Sequence, residues 1–361
     1  MFVHGLNSWE RCESWFWTER RMVVCATQPK RHDLRYTLYR VLSIDMGTTR
    51  QRPERGEFGD DTSTAGVIND EPLIDRLGVR PSREPDGTAG GDDRALFVGR
   101  PIHGFVQRTF GGHLVAQALM ASAATVRDPR RVANSLHAYF LSSGTHEHPL
   151  VYEVDTIRDG GSFSIRETTI VQNGRRLARV SASFCLPSAI GSVVDESFAV
   201  RTVPVPEELE PLYRRRTLGL PPDGIKLPTG RRWQTASRPV DIRYIDDADS
   251  RRFWFRTAEV VGAHQNVHRS ILAFASDRSL LPVIAHARKD LEDAHLMRTA
   301  SIDHAMWLHA DVHSGDWYLY VQDSPFCTDR SGLAHGSIFD RAGRLVATVT
   351  QQGMIVGDLV R

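Results

Sequence analysis

Residues 136–154, LHAYFLSSGTHEHPLVYEV, and residues 303–321, DHAMWLHADVHSGDWYLYV, align without a gap, with His137-Ala138 on His304-Ala305 and Leu150-Val151 on Trp317-Tyr318. Further on, NGRRLARVSASF (173–184) matches AGRLVATVTQQG (342–353), and Ser183 is taken as the counterpart of Gln351. Self-similarity at a long interval marks one structural unit used twice. Each copy follows an apolar segment with helical spacing. In GGHLVAQALMASAATVR the stripe is Leu114, Val115, Ala118, Leu119 and Ala123, closed by Pro129; VHRSILAFASDRSLLP is closed by Pro282. Asn173-Gly174 and Ala342-Gly343 are hairpin signals between alternating strands. A long helix followed by several antiparallel strands, twice over, predicts an α+β double hotdog, each unit a long helix wrapped by an antiparallel sheet.

The rest of the chain divides around these copies. Residues 1–70 hold no period of 2 or 3.6 long enough for a domain and are expected to be a poorly ordered N-terminal extension; internal Met22 and Met46 leave a later translation start open. Residues 71–190 make the N-terminal hotdog and 240–361 the C-terminal one. Between them, 191–239 reads as a Pro-rich linker, with PVPEELEP and LPPDGIKLP. A formal net charge of +1 over 361 residues argues against nucleic acid or an anionic membrane as partner. No apolar run reaches the roughly 18 residues of a membrane span. Cys12, Cys25, Cys185 and Cys327 form neither metal spacing nor a disulfide framework. Together these predict a soluble, cytoplasmic protein.

The segment TASIDHAMWLHA (299–310) invites a Ser/His/Asp triad. Strand alternation argues against it: Ser301, Asp303, Ala305 and Trp307 share one face, while Ile302, His304, Met306 and Leu308 take the other, so His304 points away from Ser301. No Gly-x-Ser-x-Gly elbow occurs in the chain. His304 and His309 lack an HxxxH, HxH or Cys partner and are assigned to structure, with no metal expected.

The motifs RTFGGHLVAQAL, LHAYFL, RDGGSFSIRETTIVQNG, HRSILAFASD, SIDHAMWLH and GRLVATVTQQG together resemble the acyl-CoA thioesterase II, or TesB-like, family over residues 94–190 and 240–357. The resemblance implies hydrolysis of fatty acyl-CoA to free fatty acid and CoA, without metal or organic cofactor, by a homo-oligomer (dimer or tetramer). It also implies a water positioned by a carboxylate, a hydroxyl and an amide: Asp277 of FASD, Ser301 of ASIDH and Gln351 of VTQQG. The family usually carries Thr at the hydroxyl position, so Ser301 keeps the hydroxyl and loses a methyl that restrains its rotamer.

The residues can also be weighed alone. Asp277 lies in an apolar helix segment and must find partners or shift its pKa, unless it faces solvent beside Arg278 or Arg269. Gln351 shares a strand face with Leu345, Ala347 and Val349, where an amide needs a buried partner, unless that strand is an edge. Ser301 could equally fill the core. The first helix has no Asp or Glu, which makes the first unit a degenerate copy. Its entry, Gly111, Gly112 and His113, is a candidate substrate-binding element if the glycines bring backbone N–H groups to an oxygen, or a tight turn if they serve sterics. The turn DGGSF (159–163), before a strand, is likewise a candidate for a place near substrate. Two rivals remain: a hotdog enoyl-CoA hydratase or dehydratase, which would pair a His with Asp277 but finds on its helix only His268, and a noncatalytic acyl-binding protein.

Overall fold

The computed structural model describes residues 13–18, 21–26, 72–82, 94–101, 108–187, 200, 203–211, 239–245, 251–258, 260, 262–287 and 298–356. The chain forms two units, Met1–Val67 and Ile68–Arg361. In the first, the described part is one antiparallel hairpin, β1 (Glu13–Thr18) with β2 (Arg21–Ala26). Most of the segment expected to be poorly ordered lies outside the described residues.

The second unit begins with α1 (Leu73–Leu77), whose Leu73 and Leu77 are buried, followed by β3 (Val79–Ser82) and β4 (Arg94–Gly99). Then come α2 (Gly111–Ala124), β5 (Val132–Phe140), β6 (Leu150–Asp159), β7 (Phe163–Gln172) and β8 (Arg175–Cys185). The C-terminal half has β9 (Val240–Tyr244), β10 (Arg251–Thr257), α3 (Gln265–Ser276), α4 (Leu280–Ala287) and β11 (Arg298–Ser301). It ends with β12 (Asp303–Leu308), β13 (Tyr318–Cys327), β14 (Ser331–Asp340) and β15 (Leu345–Val356). The strands form one antiparallel sheet in the order β3-β4-β6-β7-β8-β5-β12-β15-β14-β13-β10-β9, with β11 also on β15. Among the described residues the strands of each half are contiguous and meet only at the β5–β12 seam, which is the double hotdog.

Local chemistry accounts for the boundaries. Asn173 (φ 50°) and Gly174 (φ 72°) take the left-handed pair of conformations that a two-residue hairpin turn requires, and the β7–β8 hairpin closes there. α2 is buried along nearly its whole length, from Gly112 to Leu119, and its polar residues are paired inside, Gln117 Nε2 donating to the Arg76 carbonyl (2.9 Å) and Ser122 Oγ lying 2.8 Å from Thr168 Oγ1. Its neighbour α3 meets it edge to face at Phe110 and Phe274, with centroids 5.3 Å apart. The expected closure of the second helix at Pro282 is corrected. α3 ends at Ser276, and Pro282 is the third residue of α4, where a helix has no use for its N–H.

The seam also corrects the repeat alignment by one residue. His304 pairs with Ala138 and Met306 with Leu136, and all four side chains are buried, whereas His137 is exposed. Directly opposed residues share a face, so facing excludes His137 as the counterpart of His304 and leaves Leu136 or Ala138. Across β5–β8, Leu136 faces Ala182; across β12–β15, Ala305 faces Thr350, which sets His304 opposite Gln351. The ungapped match of 173–184 to 342–353 itself puts Ala182, rather than Ser183, on Gln351, and so selects Leu136 as the counterpart of His304.

Polar side chains of α3 complete the seam. β5 bulges between Ala133 and Ser135, and the Ala133 amide donates to Asn266 Oδ1 (2.8 Å). Asn266 Nδ2 donates to the Arg131 carbonyl (3.1 Å), and Arg269 Nη1 to the Ala133 carbonyl (2.5 Å). Part of the Pro-rich linker is docked: Val200, Val203 and Leu209 pack on a small core of Ile245, Trp254, Trp317, Leu319 and Phe339, and Trp254 Nε1 donates to the Pro204 carbonyl (2.9 Å).

Two outcomes are expected. Asn266→Ala strands the Ala133 amide and the Arg131 carbonyl at the seam, lowering stability in denaturant titration by about 1–3 kcal/mol. Removal of residues 1–67, which spares the buried Leu73 and Leu77, leaves the thermal midpoint of the second unit nearly unchanged.

Candidate active site

Asp277 is the C-cap of α3, where the helix carbonyls disfavour a negative charge. The fold answers with the opposite end of another helix. At the start of α2 the Gly112 N–H donates to Asp277 Oδ2 at 2.6 Å, the anion position that a helix N-terminus favours. Glycine is required for this approach. A Cβ on Gly111 would lie 2.9 Å from Asp277 Oδ2 and from the Phe140 ring; one on Gly112 would lie 2.7 Å from the Phe274 carbonyl oxygen. Both readings of the glycine pair thus meet in one contact, and the oxygen that the N–H approaches is a protein carboxylate. His113 is not brought to Asp277. Its ring is fully buried, with Nε2 2.9 Å from the Arg100 carbonyl oxygen, and burial holds its pKa down to about 4.

The Asp277 carboxyl is 7% exposed as a residue, and its Oδ1 has no hydrogen-bond partner among the described residues. His304 Nδ1 stands 3.8 Å away. Burial pushes the carboxyl above its ordinary pKa, against the opposing pull of His304, the Gly112 N–H, the nearby Gln351 amide and Arg278. The sequence had offered Arg269 as a solvent-side partner, but Arg269 pairs with Asp311 (3.0 Å).

Gln351 is wholly buried, and its Nε2 donates to Ser301 Oγ at 2.6 Å. Its Oε1, an acceptor, lies 3.1 Å from His304 Nδ1, so that nitrogen carries the proton. His304 Nε2 lies 3.0 Å from Ser276 Oγ, whose hydroxyl donates to the Ala273 carbonyl (2.9 Å). One hydrogen-bonded chain links Ser276, His304, Gln351 and Ser301, with Asp277 beside it.

The expected separation of His304 from Ser301 is therefore corrected. β11 pairs Ser301 with Gly353, while β12 pairs Ala305 with Thr350, so β12 has slipped one residue against β15. A one-residue bulge inverts the facing of everything beyond it. Ser301 and His304 consequently share the buried face, and His304 is part of the site rather than a remote structural histidine. Alternation alone could not reveal this. His309 stays outside the cluster, bonded to Thr348 Oγ1 (2.9 Å). DGGSF is a turn held by Arg131, whose Nη2 donates to the Gly160 and Gly161 carbonyls (2.6 and 2.7 Å). Among the described residues no three His, Cys, Asp or Glu are grouped to hold a metal.

Chemically, the cluster offers a buried carboxylate with one unpartnered oxygen, a hydroxyl fixed by an amide, and a histidine that orients that amide. Such a set can hold a water and take its proton.

Residues 232–354 match the family described as acyl-CoA thioesterase, and residues 102–185 match the acyl-CoA thioesterase N-terminal domain. Acyl-coenzyme A thioesterase 8 of Homo sapiens is 31% identical over 286 residues, 73% of this chain and 85% of that protein. Acyl-CoA thioesterase 2 of Haemophilus influenzae is 28% identical over 274 residues, 73% of this chain and 93% of that one. The solved structure of the acyl-CoA thioesterase II TesB2 from Mycobacterium marinum superposes with a TM-score of 0.61 at 28% identity, covering 80% of this chain and 99% of that one.

Gly112→Ala tests the helix-to-carboxylate contact. The added methyl meets a backbone oxygen that cannot swing aside, so α2 must retreat from Asp277. The expected result is a loss of about 1–3 kcal/mol in denaturant titration, with the Asp277 carboxyl pushed further up as it loses the Gly112 N–H.

Proposed function

The chain belongs to the acyl-CoA thioesterase family, and from that premise we propose that Asp277, Ser301 and Gln351 direct one water onto the thioester carbonyl of fatty acyl-CoA. The carboxylate of Asp277 accepts the water's proton while Ser301 and Gln351 fix the water's position, and fatty acid and CoA leave without a covalent acyl-enzyme. The observation that carries this reading is the Gln351–Ser301 bond of 2.6 Å beside a buried carboxylate whose Oδ1 has no partner among the described residues. Gly112 acts through Asp277: its N–H is already bonded to the carboxylate, and no role against the substrate is assigned to it. Gly111 and His113 likewise take structural roles here.

The closeness of His304 and Asp277 gives the hydratase or dehydratase rival more than the sequence allowed, since a His–carboxylate pair is the element it needs. The His304 ring weighs against it, for both nitrogens are engaged inside the protein, by Ser276 and Gln351. Release of free thiol from saturated acyl-CoA separates hydrolysis from hydration and from mere acyl binding.

Self-association as a dimer or tetramer belongs to the same reading. It is supported by aromatic side chains on the outer face of the seam, Tyr139 at 60% and Trp307 at 38% exposure, and is checked by light scattering. The cytoplasmic placement rests on the absence of a cysteine framework. No helix among the described residues is long and apolar enough to cross a membrane.

Asp277→Asn removes proton acceptance and is expected to lower kcat by about 10²–10⁴-fold. Ser301→Ala and Gln351→Ala cost less, and the triple variant is hardly worse than Asp277→Asn, because all three serve one water. Ser301→Thr keeps activity. The pH dependence has a definite sign. Asp277 has a raised pKa in the folded protein, so its protonated form favours folding; that advantage is lost as pH rises through the folded pKa. Hence kcat/KM climbs with pH through a point above the ordinary Asp value. Asp277→Asn, which keeps an acceptor for Gly112, is more stable than the parent at neutral pH, and the difference vanishes in acid.

A further inference from the structure

The bulge that turns Ser301 and His304 to one face needs a clasp, and we propose that Asp303 supplies it, as a positioning residue for thioester hydrolysis. This rests on the reading of Asp277, Ser301 and Gln351 given above. From Ser301 to Ala305 the chain advances four residues, while the facing β15 advances three, from Gly353 to Thr350. The surplus residue sits at Ile302 and Asp303. Ile302 N–H donates to the Gln352 carbonyl (2.9 Å), and the Ile302 carbonyl accepts from Phe140 N–H (2.9 Å), tying the bulge to β15 on one side and to β5 on the other.

One backbone donor is displaced. In a regular ladder the Gln352 N–H would meet a carbonyl of the opposing strand. In the bulge it donates instead to Asp303 Oδ1 at 2.7 Å. A carboxylate accepting a backbone N–H makes a strong, charge-assisted bond, and Asp303 fills the gap that the extra residue opens. Without it, a partly buried N–H loses its partner, and the register that restores ordinary pairing becomes competitive. That register returns His304 to the face opposite Ser301, as simple alternation in SIDH would have it. The Ser276–His304–Gln351–Ser301 chain cannot form there. Asp303 itself bonds to none of these four side chains; it acts on them through the backbone.

The test uses Asp303→Ala and Asp303→Asn in the full-length enzyme. It measures kcat and KM for acyl-CoA thiol release, thermal midpoint, and hydrogen exchange of the segment containing the Gln352 amide. Asp303→Asn keeps an oxygen in the same place and is expected to retain most of kcat and the protection of Gln352. Asp303→Ala should lose about 10²-fold in kcat, the scale of an ångström-size misplacement, with KM nearly unchanged and Gln352 exchange accelerated. Normal kcat per folded molecule in Asp303→Ala, with only a lower midpoint, makes the residue merely structural and overturns the proposal. So does equal damage from Asn and Ala. Ser301→Ala and Gln351→Ala run beside them: if those lose kcat while Asp303→Ala does not, the clasp fails and the reading of the site stands. If those two keep full kcat, the reading of the site fails first and takes the positioning role with it, whatever Gln352 exchange shows.

Discussion

The 2.6 Å bond between the Gly112 N–H and Asp277 Oδ2 places heavy demands on the molecule. A carboxylate at the carbonyl end of one helix, out of water, is electrostatically misplaced unless another group compensates it. The compensation is the amino end of α2, which must come within hydrogen-bonding distance. That distance forbids side chains at Gly111 and Gly112 and requires α2 and α3 to pack directly, an approach that the continuous sheet across the β5–β12 seam accompanies. The single burial of charge thereby ties glycine sterics and helix packing into one condition.

Duplication explains how the two halves could share this work unequally. The ungapped match of 173–184 to 342–353, with the facing at the seam, puts Leu136 where the other half has His304, and Ala182 where it has Gln351. The N-terminal unit thus has an apolar core at the position of the polar chain. It contributes backbone instead, through the N–H of Gly112. The C-terminal unit contributes the side chains. A site of this kind is composite, and neither unit contains it alone.

The polar chain itself is conditioned by burial. Gln351 and His304 are wholly enclosed, and each unsatisfied polar atom there would cost about 1–3 kcal/mol. Each side chain in the run from Ser276 to Ser301 has a partner in the next, and the Gln351 amide is held at both ends, by His304 and by Ser301. The one oxygen left over, Asp277 Oδ1, is the exception that such a network leaves where a reactant is meant to bind.

The sequence alone determined the architecture, because periodicity, two matched segments and turn residues such as Asn173-Gly174 are local signals. It also determined that Gln351 is an amide in an apolar row. The motif resemblance, not spacing, singled out Asp277 and Ser301 together. Three things were decided only by tertiary structure. The partner of the Gly112 N–H lies 165 residues away on another helix, and no local pattern encodes that approach. α3 ends at Ser276 rather than at Pro282, since proline is as welcome in the first turn of a new helix as after the last turn of an old one. His304 belongs with Ser301 because one surplus residue slips β12 against β15, and facing along a strand is known from sequence only until the first bulge. Strand alternation is a property of the chain; register is a property of the pair.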